Sequence, residues 1–350
     1  MKVLDAGTGL LRAAPRLWRA PADRHRLNRV LVLVPRALDV VAAQTGTRDP
    51  TDWVVHSAIV SGTRMAVVKL GPLGGETLAV LKAPAGAAAT ASRRREVAAL
   101  AGLTADPRVA DFAGLLPESL AAGIADGQMF TVERALPGVE AHRVVRPAEE
   151  DGRALGEAAS VIGGLHRRTG CSVVIDGPIL DRWIDDRVAL ATAATRNAAA
   201  LERLRQRLRD AWMGRTEVVC WVHGDFWTGN VLTDPASGRV TGIVDWEWAG
   251  DRELPAHDVV YSCLHHRMQA GRGEFGDIVR ALLDGAGWDP SEQEVLRAAG
   301  ILPERRQRIE DELLLLVWLR HIAYNLIQDA GIARNIVWVR HNVDNVLRAL

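Results

Sequence analysis

The chain has 350 residues, 43 basic and 43 acidic side chains, and three cysteines. Such a length buries a large core and exceeds one compact domain, which favours two lobes. Zero net charge without a long basic run argues against nucleic acid or an anionic membrane as partner, and an odd cysteine count without Cys-x-x-Cys argues against a disulfide framework or structural zinc.

Residues 1–50 form an arginine-rich lead with a strand expected at 29–34, broken by Pro35, and no role is assigned to it. Strand signals follow at 53–61, 65–70 and 76–82, joined by the short turn Ser61-Gly62-Thr63-Arg64 and by a glycine-rich turn at 71–75. The third strand ends in Lys82, one of only three lysines among the 43 basic residues. An ammonium is a compact charge suited to phosphate oxygens, whereas arginine is a broad planar fork. A helix is expected around 92–103, with Glu96, Leu100 and Leu103 on one face and Arg93, Arg94 and Arg95 read as solvated. Strands near 118–124 and 128–134 complete a small sheet, and Pro137-Gly138 breaks the chain before helical patterns at 149–168 and 180–213.

The stretch 223–245 is the most informative. His223-Gly224-Asp225, Asn230 and Ile243-Val244-Asp245 set two carboxylates and a carboxamide at intervals of five and fifteen residues. An Asp on a tight loop can orient an acceptor hydroxyl and take its proton. An Asn five residues on can turn back to Mg²⁺, and a second Asp leaving the next strand can hold the metal against phosphates. Short strands are expected on either side, with 234–238 as the turn of a hairpin whose second strand delivers Asp245. Helices then recur near 256–270, 275–286, 291–299, 303–330 and 335–349. No apolar run reaches membrane-spanning length and the start lacks a secretory apolar region, so a cytoplasmic location is expected.

These motifs make the chain resemble the aminoglycoside phosphotransferase and choline kinase-like family, from about residue 53 to the C-terminus. The resemblance implies an α+β, two-lobed protein-kinase-like fold: a small antiparallel N-lobe sheet with one key helix, and a larger, mostly helical C-lobe. Its expected segments are an extension at 1–50, a nucleotide-binding lobe at 51–135 and a catalytic, acceptor-binding lobe at 136–350. By position Asp225 resembles the catalytic base, and Asn230 and Asp245 the metal ligands. Lys82 resembles the phosphate-binding lysine and Glu96 its helix partner, while Asp258 matches an aspartate that braces the loop. Ser61, Gly62 and Thr63 would cover phosphates, and the backbone from Glu133 to Ala135 would read adenine. Trp246-Glu247 stands where protein kinases have Phe-Gly, and no Gly-x-Gly-x-x-Gly or Walker-type lysine motif occurs.

The implied reaction is Mg²⁺-dependent transfer from ATP, with GTP left open, to a hydroxyl of a small molecule. A sugar, aminosugar or glycosylated compound is favoured by the eleven tryptophans, which suit stacking on sugar rings. Expected acceptor residues are Glu247, Asp251, Trp183, Trp318, His321 and Asn325, with Trp338 nearby. Oligomeric state is left open. The rival reading is a pseudokinase that binds nucleotide or serves as a scaffold without efficient catalysis.

Overall fold

The computed structural model describes residues 27–45, 53–61, 64–144, 148–329 and 331–350. Packing divides the chain into two compact units, Met1–Ala98 with Leu115–Pro137 and Ala99–Gly114 with Gly138–Leu350.

In the first unit, the strand expected at 29–34 is helical instead. Residues 27–31 form a helical turn and helix α1 follows at Val34–Thr45. Pro35 does not break it, because in a first turn the missing N–H has no intrahelical acceptor to lose. Leu27, Val30, Val34, Ala37, Leu38 and Val41 recur at helical spacing and are buried in one apolar core with Val55, Leu120 and Phe130. Part of the N-terminal lead is therefore core material for this unit. The sheet comprises β1 (Trp53–Val60), β2 (Met65–Pro72), β3 (Ala79–Pro84), β4 (Ser119–Ala125) and β5 (Gln128–Arg134), ordered β1-β2-β3-β5-β4. Every pairing is antiparallel. Lys82 on β3 lies opposite Thr131 on β5, so side-chain alternation puts Glu133 on the same face as Lys82. Helix α2, Ala87–Ala105, supplies Arg93 and Glu96 to this unit.

The second unit is mostly helical and carries two small three-stranded sheets. One has the order β10-β9-β6, from β6 (Val139–Glu140), β9 (Val231–Thr233) and β10 (Val240–Ile243). The other has the order β11-β8-β7, from β7 (Cys171–Val174), β8 (Thr216–Val222) and β11 (Gly250–Glu253). Helix α3 spans Ala148–Thr169. The expected helix over 180–213 is two helices, α4 (Asp186–Ala194) and α5 (Ala198–Trp212), with Thr195 extended between them. Then come α6 (Ala256–Gln269), α7 (Phe275–Leu283), α8 (Pro290–Ala298) and α9 (Asp311–Gln328). Residues 303–308, expected to start the last long helix, are exposed and non-helical. After Pro303 that charged run has no apolar face to bury. The core of this unit gathers Leu155, Ile184, Leu204, Val259 and Leu316 from five helical segments. Among the described residues no helix is long and apolar enough to cross a membrane.

Candidate active site

In the first unit, Lys82 Nζ donates to Glu96 Oε1 at 2.7 Å and lies 3.3 Å from Glu133 Oε2. Arg93 also bonds both carboxylates, and all four side chains are buried. Two anions and two cations thus neutralise one another where water is excluded. Burial pushes the Glu96 carboxyl upward, but Lys82 and Arg93 outweigh it and hold it below the usual range. Arg93 therefore does not belong to a solvated arginine face, as its neighbours in sequence suggested. Glu133 enters through its side chain, and the Ala135 N–H already donates to Leu78 O at 2.9 Å. That bond takes one of the backbone groups expected to read adenine. Ser61 closes the β1–β2 turn, its Oγ accepting from Met65 N at 3.2 Å; Gly62 and Thr63 lie outside the described residues.

In the second unit, the loop after β8 is fixed by Asp258 at the start of α6. Its carboxylate accepts from the N–H groups of His223 (2.8 Å) and Gly224 (2.7 Å) and meets His166 Nε2 at 2.8 Å. Burial pushes Asp258 up, yet these partners hold it below the usual carboxylate range. Gly224 has φ +85°, and a Cβ there would meet Trp248 O at 2.1 Å, so only glycine fits. Its carbonyl and that of Trp248 accept from the buried Arg320 at 2.6 and 3.0 Å. His223 Nε2 faces Val244 O at 2.8 Å while its Nδ1 accepts from Asp225 N at 3.2 Å, which assigns the proton to Nε2.

Asp225 follows this braced turn. Its Oδ1 accepts from Tyr261 Oη at 2.6 Å and its Oδ2 from Asn230 Nδ2 at 3.1 Å. Burial pushes the carboxyl up to about 7; the two hydrogen bonds oppose this, and the charges of Asp245 and Glu247 add to it. Asn230 Nδ2 also donates to Asp225 O at 2.8 Å, so the amide nitrogen is spent and Oδ1 is turned the other way. The Val244 N–H donates to Asn230 O at 2.9 Å, which ties the end of β10 to the loop. Asp245 comes next, exposed and at φ +64°, a conformation costly for a residue with a Cβ. Trp246 anchors the turn by burying its ring, and its Nε1 donates to Ile243 O at 2.8 Å. Among the described residues no group of three His, Cys, Asp or Glu side chains could hold a metal. A carboxylate and a carboxamide oxygen suit Mg²⁺, which takes few protein ligands when phosphates supply others.

Asp225 borders a cavity of about 320 Å³ within this unit, between α6, α7 and α9. His321, Asn325 and Trp338 line it. Trp183 and Trp318 do not: both are fully buried, with indole N–H groups donating to Arg252 O and Asn342 O. Helical spacing placed Trp318 on one stripe with His321 and Asn325 but could not separate a core-facing side from a cavity-facing one. Glu247 accepts from Gln328 at the cavity, whereas Asp251 is exposed on β11 outside its lining. The sequence did not reveal Tyr261, His265 or Arg320. Tyr261 and His265 lie three and seven residues after Asp258, so one helix face carries the brace, the Asp225 donor and a cavity wall.

A profile of the phosphotransferase enzyme family matches residues 57–293. The chain belongs to that family. Among solved structures, the chain is similar to aminoglycoside 2'-phosphotransferase-IIIa at 16% identity and a TM-score of 0.51, over 90% of this chain and 97% of that one. It is also similar to the APH(2")-IIIa protein solved with GDP and kanamycin, at 17% identity and a TM-score of 0.50, over 90% and 98%. An aminoglycoside phosphotransferase of Streptomyces rimosus, APH(3'')-Id, aligns at 18% identity and a TM-score of 0.49 over 82% and 98%. These likenesses establish the α+β, protein-kinase-like fold for this member of the phosphotransferase family.

Proposed function

We propose that the chain moves the γ-phosphoryl group of Mg·ATP onto a hydroxyl of a small sugar, aminosugar or glycosylated compound. The observation that carries this reading is the Asp225 carboxyl, desolvated and held by Tyr261 and Asn230 at the edge of an aromatic cavity. There it would orient an acceptor hydroxyl and take its proton as the acceptor oxygen bonds to Pγ and the bridge to the β-phosphate breaks. Lys82 would meet the α- and β-phosphates, with Glu96 fixing its direction. Asn230 and Asp245 would hold Mg²⁺, which supplies charge neutralisation at the β- and γ-phosphates. Most of the acceleration would come from positioning and preorganised charge. The solved complexes of aminoglycoside 2'-phosphotransferase-IIIa and of APH(2")-IIIa hold GDP, so GTP belongs beside ATP in the donor test.

The test is nucleoside diphosphate release across sugars, aminosugars, aminoglycosides, nucleosides, choline and homoserine, with Asp225→Ala as the blank. Acceptor-dependent release that vanishes in the variant supports the proposal. Nucleotide binding without stimulation by any acceptor would support the pseudokinase reading instead.

A further inference from the structure

The cavity beside Asp225 holds polar groups that phosphoryl transfer does not itself employ. His265 lies in its wall, and among the described residues neither ring nitrogen has a hydrogen-bond partner, although both are buried. Its neighbours are rings: Tyr261, Trp227 and Phe275, with centroids 4.5, 5.3 and 5.9 Å away. The one hydroxyl among them, on Tyr261, is spent on Asp225. Since no hydrogen bond fixes the imidazole, a half-turn of the ring exchanges its carbon and nitrogen positions and can bring a nitrogen to the cavity face. Burial keeps the ring neutral at physiological pH, leaving one donor and one acceptor nitrogen. A buried polar group without a partner costs free energy that a ligand hydroxyl would recover.

The charge of the wall narrows the ligand class. Among the described residues its lining carries two carboxylates, Asp225 and Glu274, with Glu247 held at its edge by Gln328, and one arginine, Arg320, occupied by backbone carbonyls. His257 and His321 are also kept neutral by burial. A molecule bearing several ammonium groups finds too few anions here to replace its hydration. Aromatic rings line the rest of the wall: Trp227, Tyr261 and Trp338, with Trp248 stacked on Tyr324 at 4.1 Å and Phe275 on His321 at 3.8 Å. A volume of about 320 Å³ is near the lower end for ligand pockets, with room for one or two rings.

We propose that the acceptor is an uncharged, ring-bearing alcohol of the glycoside or nucleoside type, stacked on these rings, with a second polar group hydrogen-bonded to His265. This rests on the phosphotransfer reading above and deepens it. The experiment measures ADP release from Mg·ATP with a panel of methyl glycosides and nucleosides, and with kanamycin, for the wild type, His265→Phe and His265→Gln. The expected result is higher kcat/KM on a neutral acceptor than on kanamycin. His265→Phe should then raise that acceptor's KM roughly tenfold or more while ATP KM and kcat stay nearly level, and His265→Gln should recover most of the loss. Preference for kanamycin overturns the inference while leaving phosphotransfer intact. So does an unchanged acceptor KM in a His265→Phe protein whose thermal midpoint matches the wild type. Release with no member of the panel contradicts the transfer reading, and this inference with it.

Discussion

At the scale of single residues, Asp225 and Asn230 act as one hydrogen-bonded pair, with Tyr261 as third member. Asp225→Ala should keep nucleotide affinity and lose at least ~10²-fold in kcat, the scale of a lost positioned base; single-turnover assays beside nucleotide titration check it. Asp245→Ala should instead weaken nucleotide binding at fixed Mg²⁺, by roughly tenfold, and calorimetry showing unchanged affinity would remove it as a metal ligand. Arg93→Ala would leave two buried carboxylates against one ammonium, costing about 3–5 kcal/mol in urea unfolding. A loss under ~1 kcal/mol would mean the network is more solvated than its burial indicates. Lys82 was readable as a rare lysine on a clear strand, Glu96 from its helix face, and Asp225 and Asn230 from their spacing on the loop after a strand. Arg93 was not, because its second partner, Glu133, is forty residues away and nothing local marks one arginine of three as buried.

At the scale of elements, apolar periodicity served where one face was buried and failed where two periods fit equally. The sheet strands from β1 to β5 and the β9–β10 hairpin were legible from alternation and turn residues. Residues 29–34 are a nearly continuous apolar run that suits a strand or a buried helix alike, and packing on the sheet decided for the helix. A related limit misplaced Trp318, because a stripe on a helix does not reveal whether core or cavity lies beneath it. The loop after β8 depends on one backbone conformation. Gly224→Ala, with its Cβ against Trp248 O, should destabilise the second unit by about 2 kcal/mol or more and depress kcat. Unfolding midpoints equal to the wild type would contradict that account of the turn.

At the scale of the whole molecule, buried histidines tie stability to pH. Burial lowers His257 and His265 to about 4, and lowers His321 well below its ordinary value. Their folded values lie below the unfolded value of ~6.5, so this stability is complete above that pH and is lost as pH falls toward 4, at about 1.4 kcal/mol per pH unit and group. Asp225, pushed up to about 7, works in the opposite direction over most of that window and offsets one of the three. Thermal midpoints should therefore drop between pH 6.5 and 5; a flat profile would show that these imidazoles are hydrated. Function was legible at the same scale only as a reaction class, because loop spacing points to phosphoryl transfer, whereas the cavity beside Asp225 is walled by side chains gathered from separate helices. The most direct measurement follows the γ-phosphorus itself, using γ-labelled ATP, Mg²⁺ and the best acceptor of the panel. The label should appear as a phosphate monoester on the acceptor and be absent with Asp225→Ala; label recovered only as inorganic phosphate, or retained in ATP, would contradict the assignment.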